Sequence, residues 1–296
     1  MKSKNNQFQE IDPLIENGEI SRAMELLEKL DRNDFNSEVV SRIIKIYLMN
    51  KQYQMALKRI NEHSRWFSEN QPTFYIETLI QAKSYVPAYQ FLISIQANLK
   101  VSDYEALKKL LFQEMDLFKR NSKQTIIELK KSLYHIGNHN LVEQQRVLEQ
   151  SFSLPIKEFE EAVKFALVDP FLNQFMRVTL LEQLVSLQSA KKVQFMWIDH
   201  NQYEIIPSEL TIFNKDPLYR DIIHQLDNKI KNPSEVQQLK QNLEIYYRLS
   251  FPFETKLNKS STEWIESLTS ENPDSQARSR LRILDEMLQD ISNILK

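Results

Sequence analysis

The feature that most constrains this chain is its shortage of glycine, because only Gly18 and Gly137 occur among its 296 residues. Average usage of about 7% would give roughly 20. Glycine supplies tight turns with positive φ and lets a backbone approach a bound phosphate closely. Neither glycine-rich phosphate-binding pattern, G-x-G-x-x-G or G-x-x-x-x-G-K-[ST], is present. The sequence therefore disfavours doubly wound nucleotide-binding folds and favours helices joined by short polar links.

Other properties of the sequence exclude further kinds of chemistry. The chain has no cysteine, which excludes disulfides, thiol catalysis and thiolate zinc sites. Its net charge of −2 creates no overall field that would recruit nucleic acid or an anionic membrane surface. The N-terminal segment has no apolar stretch typical of a signal peptide, and no apolar run is long enough to span a membrane. We therefore expect a cytoplasmic protein.

Three segments near the N-terminus repeat one pattern. In each, a large residue lies three positions before an alanine, and two more residues of the same helical stripe follow four and seven positions after it. The alanines are 33 and 32 residues apart, so we expect three helical hairpins in which each alanine lies where two helices approach closely. The segments consist of Ile20, Ala23, Leu27 and Leu30; of Tyr53, Ala56, Ile60 and His63; and of Tyr85, Ala88, Leu92 and Ile95.

This skeleton resembles the tetratricopeptide repeat (TPR), a helix-turn-helix unit of 34 residues, over residues 5–97. The copies lack the tryptophan of the first helix and the terminal proline, and only the first copy keeps the turn glycine. The resemblance implies an all-α fold, a TPR-like solenoid of helical hairpins. We place this repeat region at residues 1–151 and a C-terminal helical region at residues 152–296.

Beyond the repeats, apolar periodicity and helix-start signals predict further helices. The helical pattern is broken at about residues 192–206. Apolar and polar side chains alternate there on both sides of a four-residue turn at Asp199–Gln202, and this alternation predicts one small β-hairpin. Three predicted helices cover residues 102–119, 123–136 and 141–151. Further helices are predicted to begin after Pro155, at Asp169-Pro170 (running to about Gln188), after Asp216-Pro217, at Asn232-Pro233 and at Ser260. The last predicted helix is continuous over residues 274–295.

The order of features in the C-terminal region also resembles that of uncharacterised cytosolic repeat proteins of Gram-positive bacteria. The residues that carry this second resemblance are Asp169-Pro170-Phe171, the predicted hairpin, Pro207–Leu210 and Phe251-Pro252-Phe253. The resemblance implies no known chemistry and transfers no site residues.

The TPR resemblance also implies a binding surface, since the first helices of stacked hairpins line a concave groove in that family. A mixture of charged, apolar and amide side chains at the matching positions suits a peptide or a helix of a partner protein. We therefore expect a non-catalytic scaffold or adaptor with no cofactor. The predicted groove residues are Lys45, Leu48 and Met49 in the second copy and Glu77, Ile80 and Gln81 in the third.

Several other functions stay open at this point. The chain could be a peptide-sensing regulatory receptor, or an enzyme with a cryptic carboxylate site, although no catalytic constellation stands out. The hairpin residues Phe195–Ile198 could form an edge for a partner strand, and the last helix could support oligomer formation. The mixed charges of the lysine-rich stretch 108–131 favour a solvated helix face over a nucleic-acid patch. His135 and His139 have the spacing of a metal pair, but Gly137 between them predicts a turn and no metal site.

Overall fold

Eighteen α-helices and one two-stranded antiparallel sheet make up the regular structure of the described part of the chain. A computed structural model describes residues 8–32, 35–270, 272 and 275–294, with side chains up to residue 289. The chain divides after Ser122 into two compact units. The mostly helical architecture with one small β-hairpin is as the sequence predicts. The predicted boundary after residue 151 concerns the repeat pattern, and it stays a prediction.

The first unit contains eight helices in its described residues. Six of them form the three predicted repeats, two helices in each. The remaining two are a short helix between the second and third repeats and a long helix after the third. Their bounds are α1 Ile11–Glu16, α2 Ile20–Asp31, α3 Ser37–Met49, α4 Tyr53–Asn61, α5 Ser64–Asn70, α6 Pro72–Gln81, α7 Tyr85–Ser94 and α8 Val101–Asn121.

The repeats form three helix-turn-helix hairpins, α1–α2, α3–α4 and α6–α7. Their turn residues Gly18, Lys51 and Lys83 have φ values of 78°, 57° and 58°, so all three adopt the left-handed conformation that commonly ends a helix. In each turn, the next backbone N–H donates to a carbonyl five residues earlier, as from Glu19 to Leu14 at 2.8 Å. The repeated alanines are fully buried, as the spacing predicts, whereas residues 5–7 of the predicted repeat region lie outside the described residues.

Side chains join successive hairpins of the first unit. The guanidinium of Arg42 on α3 donates to both carboxylate oxygens of Asp12 on α1, at 2.7 and 3.0 Å, and it lies 3.8 Å from the centre of the Phe8 ring. Asn36 caps the start of α3, because its side-chain oxygen accepts hydrogen bonds from the N–H groups of Glu38 and Val39. These contacts fix the position of α3, which carries half of the predicted groove.

The second unit contains ten helices and the β-hairpin in its described residues. The predicted helical hairpin at its start is present, and the chain turns there through a short 3-10 helix at Ile136–Asn138. Asp216, Asn232 and Ser260 cap the helices that follow them, as the start signals predict. The helices are α9 Lys123–Tyr134, α10 Leu141–Ser151, α11 Ile156–Ala166, α12 Gln174–Ser186, α13 Pro217–Lys229, α14 Pro233–Ser250, α15 Glu254–Leu257, α16 Ser261–Thr269, α17 Gln276–Ser279 and α18 Arg282–Ile294.

The β-hairpin pairs β1 (Val193–Met196) with β2 (Gln202–Ile205), in the register Val193 to Ile205 and Met196 to Gln202. Its loop has five residues, Trp197–Asn201, so the four-residue turn predicted at Asp199–Gln202 begins two residues too late and ends one residue too late. The sequence left open an exposed edge for a partner strand at Phe195–Ile198, but all four side chains are buried. The Trp197 indole donates to the Ser250 carbonyl at 2.9 Å, and the Met196 N–H donates to the Leu167 carbonyl at 3.0 Å. The hairpin therefore packs within its own unit.

Two helix predictions in the second unit are wrong at their boundaries. Helix α12 begins at Gln174 and not at Pro170, because residues 169–172 form a turn and Asn173 provides the cap. The last helix is broken into α17 and α18 where Leu281 is buried between them. Leu284 is also buried and Leu288 is half-buried, so the start of this stripe packs inside the chain. The side chains of Ile291 and Leu295, on which a dimerising surface would depend, lie outside the described residues.

Candidate partner-binding groove

A surface depression of about 360 Å³ lies between α3 and α6, the first helices of the second and third hairpins. Each helix presents residues at three- and four-residue spacing, which places them on one face. This depression is the candidate groove. It is lined by Lys45, Leu48, Met49, Phe74, Glu77, Thr78 and Gln81.

Five of the six residues predicted for this surface line the groove. The exception is Ile80, whose side chain is only 2% exposed and is part of the core of the hairpin. Ile80 therefore cannot offer an apolar contact to a partner. Met49 contributes the largest exposed apolar surface of the groove, because 62% of it is accessible. A flexible methionine can adapt its shape to different partner side chains.

Phe74 and Thr78 also line the groove but are not among the predicted residues. Phe74 lies three and seven residues before Glu77 and Gln81, so the helical spacing of the predicted residues could have indicated it. Thr78 is nearly inaccessible, and its hydroxyl donates to the Phe74 carbonyl at 2.8 Å. Phe74 thus supplies an aromatic wall, whereas Thr78 mainly stabilises the helix turn beneath it.

The groove carries one charge of each sign. The Lys45 ammonium lies 5.9 Å from the centre of the Phe74 ring, within the range of a cation–π contact. Neither Lys45 nor Glu77 forms an ion pair with another residue in the described part of the chain. The neighbouring Asp12 pairs with Arg42. The hydrogen bond from Arg42 holds the pKa of the Asp12 carboxyl below its usual range. Both groove charges are therefore available to a ligand.

The arrangement of these groups suits binding more than bond making or breaking. A single carboxylate, an ammonium and a primary amide surround an apolar floor of Leu48 and Met49 beside the aromatic wall of Phe74. Such a surface can hold an apolar anchor and orient charged groups beside it. The carboxyl with a strongly raised pKa, Glu254, lies in the second unit and does not belong to the groove.

The two histidines at metal-pair spacing do not form a metal site with described residues. His135 and His139 flank the short 3-10 helix, and His139 Nδ1 lies 3.2 Å from a carboxylate oxygen of Glu143. Within the described ranges, no three histidine or acidic side chains come together as ligands.

None of the helices in the described ranges is both long and apolar enough to cross a membrane. No family model, curated protein or solved structure matches the chain.

Proposed function

We propose that this protein is a non-catalytic scaffold or adaptor that docks a peptide segment or helix of a partner protein in the groove. The observation that carries this proposal is the groove lining, which combines an exposed methionine, an aromatic wall and two unpaired charges. Peptide grooves use apolar anchors for affinity and charges for orientation, and no covalent step is needed.

The proposal includes a TPR-like identity for the repeat region and a cytoplasmic location. Three hairpins at spacings of 33 and 32 residues, each with a buried alanine and a left-handed turn residue, support the TPR-like interpretation. In repeat proteins of this kind, first helices provide the partner surface. Helices α3 and α6 hold that position in the second and third hairpins.

The test is a charge inversion that leaves the apolar floor intact. The double variant Lys45→Glu with Glu77→Lys reverses both groove charges. Lys45 is exposed and Glu77 is half-buried at the groove, so the helices should still form. A partner that is oriented by these charges should bind about tenfold more weakly or worse. The binding is measured by quantitative pull-down from a native extract, followed by titration of the captured partner.

The matched control inverts an ion pair elsewhere in the first unit. Arg65 and Glu69 on α5 pair at 3.2 Å and are both exposed, so Arg65→Glu with Glu69→Lys changes charge to the same extent outside the groove. The control should bind the partner as the wild type does, and all three proteins should give the same circular dichroism spectrum. Equal binding by the groove variant and the wild type would contradict the proposal.

A further inference from the structure

A buried arginine in the second unit carries a positive charge and forms no ion pair with any described residue. Arg177 on α12 is only 5% exposed. Its guanidinium donates to the Gln174 side-chain oxygen at 2.7 Å and to the carbonyls of Asp169 and Leu172 at 2.7 and 2.8 Å. All three acceptors are neutral, and no described carboxylate forms an ion pair with it. Its Nε is buried without any hydrogen-bond acceptor.

One acidic side chain, Asp169, acts on this charge through space and favours the charged form of Arg177, but it forms no ion pair with it. One of the Asp169 carboxylate oxygens accepts the N–H of Phe171 at 2.9 Å and fixes the turn before α12. Burial lowers the pKa of Arg177 to about 10, so the guanidinium still carries its charge at neutral pH. Buried charges in proteins are normally paired, because an unpaired one is costly.

Arg177 lines a cavity of about 130 Å³, whose other polar groups are also suited to an anion. The side-chain oxygen of Asn173 accepts a hydrogen bond from the Phe175 N–H at 2.8 Å. The side-chain N–H groups of Asn173 have no partner among the described residues. His200 is exposed at the rim and contributes a ring that can donate. No aspartate or glutamate is among the described residues that line the cavity.

The remaining walls are apolar and come from Leu172, Ile198 and Met287, among others. The cavity offers about ten times the space that one water molecule requires. Phosphate would bring two charges and several acceptor oxygens to a site with one cation, whereas a monocarboxylate brings one charge and an apolar tail. We propose that this cavity binds the carboxylate group of a small organic acid, with Arg177 as its counter-charge. This inference does not depend on the function proposed for the groove.

The experiment is calorimetric titration of the full chain with sodium butyrate, with butyramide as the uncharged isostere and inorganic phosphate as the competing anion. A ligand of this size is expected to have a Kd in the millimolar range. Arg177→Gln and Met287→Trp should each weaken butyrate binding by about tenfold or more, since one removes the charge and the other fills the cavity. The control Arg146→Gln removes an exposed arginine on α10 that does not line the cavity, and it should leave the Kd unchanged.

Each outcome of this experiment decides the proposal. Binding of butyrate but not butyramide, weakened in both cavity variants, supports it. The proposal is wrong if butyrate gives no heat at millimolar concentrations, or if it binds equally well to the wild type and to Met287→Trp. Tighter binding of phosphate than of butyrate would overturn the assignment to a carboxylate. Arg177 also holds two backbone carbonyls, so if Arg177→Gln does not fold, the result with Met287→Trp decides.

Discussion

At the scale of single residues, the two glycines meet different physical requirements. Gly18 has a φ of 78° and has open space where a side chain would begin. Gly137 does not have this backbone requirement, but a Cβ there would lie 2.9 Å from Cγ of Asp169 and 3.0 Å from the backbone nitrogen of Leu172. The first glycine is therefore explained by conformation and the second by close approach.

We predict that Gly137→Ala destabilises the second unit by about 1–3 kcal/mol, because the added methyl group overlaps the Asp169 carboxylate. Moving that carboxylate would disturb its hydrogen bond with the N–H of Phe171. Urea unfolding, followed by circular dichroism, measures the change in free energy. The same substitution made in an Asp169→Ala background should cost much less, since the Asp169 carboxylate is gone and only the 3.0 Å contact with the Leu172 nitrogen remains. Equal costs in the two backgrounds would show that the overlap is not the cause.

Residue positions in the groove could be predicted only in part. The helical positions of Lys45, Leu48, Met49, Glu77 and Gln81 follow from the register of the repeats, and these side chains line the groove. Ile80 was assigned to the same surface but is buried, because neighbouring positions on α6 are used to pack the hairpin. The repeat register fixes a position along the helix, whereas the rotation of each side chain towards core or solvent depends on the helices packed around it.

At the scale of elements, the hairpins of the first unit depend on small side chains at helix contacts. Ala56 on α4 is fully buried within a cluster that includes Val40, Ile44, Ile60 and Phe67. A residue without a long side chain allows two helices to approach closely, and such packed interiors leave little room for extra atoms. This contact explains why the alanine recurs although other repeat positions vary.

We predict that Ala56→Leu destabilises the first unit by about 1–3 kcal/mol through overpacking between α3 and α4. Met55→Leu provides the matched control, because Met55 is the adjacent residue of the same helix and its side chain is exposed. It should change the stability only slightly. Thermal unfolding of both variants tests this difference, and similar melting temperatures would argue against a close helix contact at Ala56.

Helices were predicted well where apolar periodicity and a capping residue agree, as at α13, α14 and α16. The two boundary errors lie where side-chain contacts shape the backbone, which apolar periodicity alone does not show. The turn before α12 is held by Arg177, which bonds the carbonyls of Asp169 and Leu172. Near the break between α17 and α18, Arg278 donates to both carboxylate oxygens of Asp285, at 2.8 Å each.

At the scale of the whole molecule, one buried acid is expected to make stability depend on pH near neutrality. Glu254 is almost fully buried close to Asp216, and burial raises its pKa from 4.5 to about 7. A carboxyl whose pKa is raised by folding is protonated more readily in the folded state. Its contribution to stability is therefore complete below pH 4.5 and is lost as the pH rises to about 7.

We predict that the free energy of unfolding of the wild type falls by roughly 3 kcal/mol, relative to Glu254→Gln, between pH 4.5 and neutrality. Glutamine keeps the size of the side chain but does not ionise, so the comparison isolates this one carboxyl. Urea unfolding at a series of pH values provides the measurement. Parallel pH profiles for the two proteins would show that ionisation of Glu254 does not control stability.

The sequence could not have indicated this acid, because its burial results from chain segments far apart in sequence. The segment that contains Glu254 follows α14, whereas Asp216 caps α13. The same limit applies to the cavity beside Arg177, which draws on α12, the hairpin loop and α18. Helix content and the hairpin follow from local patterns, but sites built from distant segments require the fold.

The left-handed turns affect the free energy of both the folded and the unfolded state. Lys51 and Lys83 adopt φ values near 57°, which cost a residue with a side chain about 1 kcal/mol or more. A lysine also restricts the unfolded backbone more than a glycine would, so less disorder is lost on folding. The repeats can therefore keep one turn geometry while the turn residue varies, and a search for conserved glycines would overlook two of the three turns.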